Sequence, residues 1–321
     1  MTRRSTTNPV RLRRAILAWY EQGHRSLPWR GSRDPYAVLV SEVMLQQTQA
    51  SRVAVRYPRF MTRFPDLAAL ASASEADVLA EWSGLGYNRR ALALRDAAVA
   101  VQASGWPSDL AGLQRLPGVG PYTARAIGSL AFGWRVGVVD TNVRRWLVRR
   151  LGLEPGSGAA GGGALQRLAD DLANAGHAAP EDGAAWTHAS MELGAVICRA
   201  QVPACNACPI ASGCPARGAA GRVPVPRQGP FRGSRRAYRG GVMRALAAAP
   251  EYALRIDATR APTPSVAAPE ALDGRLEPRL MQEALEGLER DGLAHLDGSL
   301  LRLGPRPARG SSGGPRPTIA R

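Results

Sequence analysis

The sequence predicts an all-α core followed by a small mixed α/β module near its C-terminal end. Three observations carry that prediction. From Pro9 to Cys198 apolar residues recur at helical spacing, in segments broken by glycine and proline, and none of them reads as a sheet. In the middle lies LPGVGPYTARAIGSLAFGWRVGVVD, Leu116 to Asp140, where a Gly/Pro turn runs straight into a helix. Only in GLAHLDGSLLRLG do apolar and polar residues alternate, about the hairpin signal Asp297-Gly298.

Taken in order, residues 1–8 are polar and expected to be disordered. Leu12, Ala15, Ile16 and Trp19 predict a first helix over Pro9 to Glu21. The loop SLPWRGSRDPY comes next, and its Asp34-Pro35 is a helix-start signal. The helix it starts, YAVLVSEVMLQQTQ, is mostly apolar and so expected to be buried, which makes Glu42 the anomaly: a buried carboxylate is costly unless it is bonded or used. The plainer alternative places Glu42 on one wet face with Ser41, Gln46 and Gln49. Helices are predicted over Arg52 to Phe64, Glu75 to Trp82, Arg89 to Ser104 and Asp109 to Leu116, with Ser74 and Asp77 forming a capping box. Between two of them GLGYNRR, residues 84–90, is a turn that presents Tyr87 beside two arginines. Such a turn can wedge and hold DNA, or simply pack.

In the central stretch, Pro117 to Pro121 make a tight turn and Ala124, Ile127, Leu130 and Ala131 mark a helix over Tyr122 to Ala131. The first N–H groups of a helix lack internal partners, and Gly118 and Gly120 let a phosphate approach them without any reading of base sequence. An ordinary helical corner can carry the same short motif. The residues beyond the helix separate the two readings. VGVVDTNVRRWLVRRL delivers Asp140 to the start of a further helix bearing Arg144, Arg145, Arg149 and Arg150, and a phosphate grip beside a carboxylate and arginines suggests chemistry on DNA. Past the connector EPGSGAAGGG, helices are predicted near Leu165 to Ala175 and Glu181 to Cys198.

The chain has 321 residues and a formal charge of +16, an excess that points to a polyanionic partner. All 42 basic residues are arginine, so no side-chain amine can form a Schiff base. Neither an apolar run of about 18 residues nor a signal-peptide core is present, so a soluble intracellular protein is expected. Its four cysteines are then read in a reducing setting, where disulfides are disfavoured. Cys198, Cys205, Cys208 and Cys214 form C-x6-C-x2-C-x5-C, able to hold tetrahedral zinc or a [4Fe–4S] cluster; spacing alone does not separate these, and the single C-x2-C pair leans towards iron–sulfur.

In that order, SEVMLQQTQ at 41–49, GLGYNRR, LPGVGPYTA, VVDTNVRR and the cysteine loop resemble the helix-hairpin-helix DNA glycosylases of the endonuclease III superfamily, above all the MutY-type adenine DNA glycosylases. The resemblance implies a two-lobed all-α fold. Residues 27–133 would form one lobe, and residues 134–218 with the N-terminal helix (1–26) a second lobe carrying a [4Fe–4S] cluster. It implies that Glu42 protonates the departing adenine, that Asp140 stabilises or transiently captures the sugar cation, and that Asn142 orients Asp140. Tyr122 stands where bifunctional relatives carry the Schiff-base lysine, so a monofunctional enzyme without lyase activity is expected. Gln47 would fill the gap left by the flipped base, Tyr87 would insert on the opposite-base side, and Trp29 and Arg30 would border the adenine pocket. Two departures stand out: Asp-Thr-Asn replaces a common Asp-Gly-Asn, and His188 aligns where a base-contacting glutamine is common. The expected partner is double-stranded DNA carrying adenine opposite 8-oxoguanine or guanine, the expected state a monomer, and the expected location a bacterial cytoplasm, at the nucleoid. A thymine-mismatch or damaged-pyrimidine glycosylase of the same fold is one alternative, and a non-catalytic iron–sulfur DNA-binding protein is another.

The resemblance covers the C-terminal third poorly. Residues 219–240 read as a basic linker, with Arg222, Arg227, Arg232, Arg235, Arg236 and Arg239 among three prolines. A short helix over Gly241 to Ala249, an amphipathic one over Arg275 to Arg290 and the hairpin then resemble a small winged-helix-like module, 241–304, ahead of a disordered tail, 305–321. Its strands are too few for the Nudix-like domain of many family members. The module is therefore expected to add DNA affinity more than selectivity for 8-oxoguanine.

Overall fold

The computed structural model describes residues 8–154, 157–176, 182–218, 229–256 and 277–307. In chain order the helices are α1 (Pro9–Glu21), α2 (Pro35–Leu45), α3 (Ala50–Arg63), α4 (Leu67–Ser72), α5 (Glu75–Trp82), α6 (Arg89–Ser104), α7 (Leu110–Gln114), α8 (Pro121–Leu130), α9 (Thr141–Leu151), α10 (Gly162–Ala173) and α11 (Asp182–Glu192), which a π-helical turn, Leu193–Ile197, extends. After them come α12 (Arg235–Ala248), β1 (Ala253–Arg255), α13 (Pro278–Arg290), β2 (Ala294–Asp297) and β3 (Leu300–Leu303). The predicted all-α core and small mixed module are thus present, with no strand among the described residues before Ala253.

Two compact units emerge, Met1–Ser72 with Asp96–Arg227 and Ala73–Arg95 with Gln228–Arg321. In the first unit, local chemistry starts the helices that matter for the site. Asp34 caps α2, its carboxylate accepting from the Tyr36 and Ala37 N–H groups, and Pro35 supplies a pre-set first turn. Every residue of α2 from Tyr36 to Met44 is buried, against α3 and α8. A separate apolar cluster of the same unit joins Leu12 and Ile16 of α1 to Trp146 and Leu147 of α9, Leu165 and Leu172 of α10, and Trp186 of α11. Buried Ser129 of α8 shares a hydrogen bond with Thr187 of α11 at 2.7 Å and donates to the Gly183 carbonyl.

The second unit packs α12 against α13, α5 and β3. Its sheet has the order β1-β3-β2, all antiparallel, and the β2–β3 pair turns at Asp297-Gly298 with Asp297 opposite Leu300.

Several boundaries differ from the sequence reading. α2 ends at Leu45, because Gln47 has φ +54°, a left-handed value no helix accommodates. α12 begins at Arg235, six residues before Gly241, since Ser234 caps it by accepting from the Ala237 N–H. Residues 73–95 cluster with the C-terminal residues and not with the first lobe, because α5 packs on α12 and β3. Neither α4 nor β1 is marked by the sequence pattern. The linker residues 219–228, with Arg222 and Arg227, residues 1–7 and the tail from 308 onward lie outside the described residues.

Candidate active site

Glu42 lies in the middle of α2, 4% exposed. Tyr122, on the first turn of α8, shares a side-chain hydrogen bond with it. One turn along, Gln46 Nε2 donates to Thr123 Oγ1 at 3.2 Å, so α2 and the start of α8 are pinned at neighbouring points. Glu42 Oε2 is buried and has no hydrogen-bond partner among the described residues. Burial pushes the Glu42 carboxyl up to about 7, with the Asp140 charge adding to the rise and the Tyr122 bond opposing it. Burial also drives the Tyr122 phenol far above its usual range, so it stays a donor.

Asp140 is the cap of α9. Its Oδ1 accepts from the Val143 N–H at 2.6 Å and its Oδ2 from Asn142 Nδ2 at 2.7 Å. Burial raises its carboxyl too, but those two bonds and the Arg145 charge pull the other way. The carboxylates therefore differ in kind: Asp140 is held by donors, whereas Glu42 keeps one oxygen free. Such asymmetry separates an acid from an ionised partner.

The arginines of α9 donate to backbone carbonyls. Arg145 donates to Asn142 Oδ1 (2.8 Å), Gly194 O (2.6 Å) and Cys198 O (2.7 Å). Arg144 bonds Ala160 O, Arg149 the carbonyls of Arg199 and Ala200, and Arg150 those of Ser212 and Gly213. The close fit requires Gly194, where a Cβ would lie 2.5 Å from the Asn142 carbonyl oxygen.

At the hairpin, Gly118 takes φ +72°, and Gly120 caps α8 with no side-chain bond to its first N–H groups. Space beside Gly120 is open. No side chain caps the first N–H groups of α8, the place where a helix receives an anion, while the Val119 N–H donates to the Leu116 carbonyl at 3.1 Å. Gln47 sits just past α2 in its left-handed turn, in the same unit. Tyr87 belongs to the second unit.

Around the predicted base pocket, Trp29 is 8% exposed and meets the Tyr57 ring edge-on. Arg30 pairs with Glu192, and Arg25 reaches the same carboxylate through Nε (2.8 Å), Nη2 (2.7 Å) and its backbone N–H (3.1 Å). Burial alone would raise Glu192, yet the arginine bonds prevail and bring it to about 2. His188, one turn earlier on α11, is lowered to about 4, first by burial and then by Arg30 and His24, so its imidazole is neutral at neutral pH. Sequence reasoning missed Arg25 and Glu192. The available signal was the same as for Glu42, an acid in the otherwise apolar run MELGAVIC.

The four cysteines are free and half-buried, and they line one cavity with Ile197, Pro203, Ala211 and Arg149. Burial raises the Cys208 thiol, and the three other cysteines add to the rise, which places the set in one another's field. Among the described residues no group of three or more ligands converges as a single-ion site. Four thiols around one largely apolar cavity are a donor set that suits iron or zinc.

Comparison with known proteins gives a consistent picture. A family model described as HhH-GPD superfamily base excision DNA repair protein matches residues 40–159. The chain is 46% identical over 202 residues to adenine DNA glycosylase of Mycobacterium tuberculosis, covering 61% of this chain and 64% of that protein. It is 43% identical over 231 residues to the human adenine DNA glycosylase, covering 67% and 41%. It therefore spans less than two thirds of the length of these curated relatives. Among solved structures, a thermostable thymine-DNA glycosylase is similar at 27% identity with a TM-score of 0.58, over 66% of this chain and 97% of that one. A non-covalent endonuclease III–DNA complex shares the fold, at 21% identity and a TM-score of 0.54, over 67% and 98%.

Proposed function

The chain belongs to the HhH-GPD superfamily of base excision DNA repair proteins, and from that premise we propose that it is a monofunctional adenine DNA glycosylase. It would flip an adenine mispaired with 8-oxoguanine or guanine out of the duplex and hydrolyse its N-glycosidic bond. The observation that carries this reading is the pair of unlike carboxylates, buried Glu42 with a free oxygen and half-buried Asp140 with a donor on each oxygen.

Cleavage moves the electrons of the sugar–base bond onto the base, which leaves readily only if a ring nitrogen gains a proton. Glu42, near 7, is substantially protonated at neutral pH and gives that proton; the resulting carboxylate then takes one from the water that adds to the sugar carbon. Asp140, fixed by Val143 and Asn142, faces the sugar cation with negative charge or a transient bond. Tyr122 holds Glu42 and supplies no amine, so the reaction stops at the abasic site. Neutral His188, Trp29 and Arg30 would border the adenine, with Arg25 and Glu192 holding Arg30, while the N–H groups of Gly118 and Gly120 themselves would grip backbone phosphate and Gln47 would fill the vacated stack. Cys198, Cys205, Cys208 and Cys214 would hold a [4Fe–4S] cluster, which when bound cross-links the loop that Arg145, Arg149 and Arg150 already grasp. The partner is double-stranded DNA, and no described helix is long and apolar enough to cross a membrane.

The test is an excision assay on duplexes with adenine opposite 8-oxoguanine, guanine or thymine, and thymine opposite guanine. Adenine should be released from the first two, leaving an intact strand until alkali is added. Release of thymine in place of adenine would favour the alternative suggested by the thymine-DNA glycosylase likeness. Strand nicking trapped by borohydride would refute the argument from missing lysine.

A further inference from the structure

We propose that the C-terminal module is the seat of Tyr87: residues 229–256 and 277–307 brace α5 and the turn after it, so that the module governs the opposite-base side of the substrate. This rests on reading Tyr87 as the residue inserted there.

The bracing can be followed from the wedge inward, within one compact unit. Tyr87 is 50% exposed and has φ +48°. The Arg90 guanidinium lies over its ring at 5.5 Å and over the ring of fully buried Trp82 at 5.3 Å. Arg90 Nη2 and Trp82 Nε1 both donate to the Gly86 carbonyl, at 3.0 and 3.1 Å, which fixes the turn from two sides. Trp82 ends α5, and α5 is held by the module. Tyr252 donates its hydroxyl to Asp77 Oδ1 at 3.0 Å, α12 packs along the helix, and the backbone at Gly304 abuts its first turn.

A second observation is independent of these contacts. Among the described residues four that are not glycine have left-handed φ: Gln47, Tyr87, Glu251 and Tyr252. The first two are those the resemblance sets against DNA. The other two form the turn that delivers Tyr252 to α5. Backbone conformations of this kind cost free energy and persist where the surroundings over-determine them.

The exposed face of α13 is, by contrast, mixed in charge, with Arg279 and Arg290 as well as acids. α13 precedes the hairpin, where a winged helix would present its groove-reading helix, yet it turns Gln282 and Glu286 outward, flanked by Glu283 and Glu289. Those carboxylates repel phosphate.

The experiment uses the full chain and a duplex with adenine opposite 8-oxoguanine, in which a fluorescent purine analogue neighbours the 8-oxoguanine and brightens when unstacked. Tyr87→Ala should abolish the brightening. Arg90→Ala should reduce it at least about threefold, and the double variant should be no dimmer than Tyr87→Ala alone, as expected for residues acting as one device. Tyr252→Phe, which removes one oxygen at the far end of the brace, should give a partial loss and keeps the test open if Arg90→Ala does not fold. Full brightening in Arg90→Ala and Tyr252→Phe, with a flatter salt dependence in Arg90→Ala, would make Arg90 a phosphate contact and overturn the proposal. Full brightening in Tyr87→Ala would refute the opposite-base reading of Tyr87 itself, and the proposal with it.

Discussion

Glu42 and Glu192 are both buried, at 4% and 1% exposure, yet burial lifts the first to about 7 while two arginines bring the second to about 2. The consequences for pH run in opposite directions. A carboxyl raised above 4.5 destabilises the fold as pH rises from about 4.5 to about 7, because the unfolded chain releases its proton first. Glu192 contributes stability above its unfolded value that is lost as pH falls towards 2. Replacing Glu42 by glutamine should therefore raise stability at pH 8 by about 1–3 kcal/mol, with no gain below pH 4.5, while adenine excision disappears and mismatch binding survives. Chemical denaturation at the two pH values and a single-turnover assay check this; near-normal excision would remove Glu42 from its role. In the parent enzyme excision should decline as pH climbs through about 7. Asp140→Asn retains the helix cap, since the asparagine oxygen still accepts from the Val143 N–H, but its amide nitrogen then faces Asn142 Nδ2, so its loss of rate, about 10²–10³-fold, reports the charge together with that lost bond. Glu42 was legible in the sequence because its helix is otherwise apolar. Glu192 carried the same signal, but its partners stand 162 and 167 residues away, and no periodicity reveals them.

At the level of elements, helices with a clear cap and a Gly/Pro stop were legible: α1, α5 and α6 have the predicted bounds. Where the predicted bounds failed, tertiary structure had overruled local pattern. Gly240-Gly241 suggested a boundary, yet α12 runs through both because its other residues pack on α5 and α13. The partners of the α9 arginines were not legible either, since folding turns Arg145, Arg149 and Arg150 onto the carbonyls of the loop that holds the cysteines. That loop has little regular structure of its own, so it depends on those arginines and on what its thiols hold. The purified protein should be brown, with about four irons per chain. Arg149→Ala, which strips donors from the Arg199 and Ala200 carbonyls, should lower iron content and cost about 2–4 kcal/mol in thermal stability. Stoichiometric zinc in a colourless protein would exclude the cluster.

Across the whole molecule the charge of +16, carried by arginine alone on the basic side, makes association with DNA strongly dependent on salt. Matched and mismatched duplexes should lose affinity in parallel, by about 10³-fold or more between 50 and 200 mM salt if six or more phosphates are engaged. Single-turnover excision at saturating enzyme should barely change. A mismatch affinity that ignored salt would mean that the arginine excess serves solubility. Composition made this property legible; it could not show that residues 73–95 join the C-terminal unit, because nothing local to α5 encodes a partner so distant in the chain. The Tyr252–Asp77 bond spans 175 residues. During synthesis α5 must therefore leave the ribosome with α12 and β3, on which it packs, still to be made. A premature stop late in the reading frame, even one well past the last cysteine, would strand that helix, and such a lesion should behave as a folding defect of α5 and the Tyr87 turn rather than as a harmless trim.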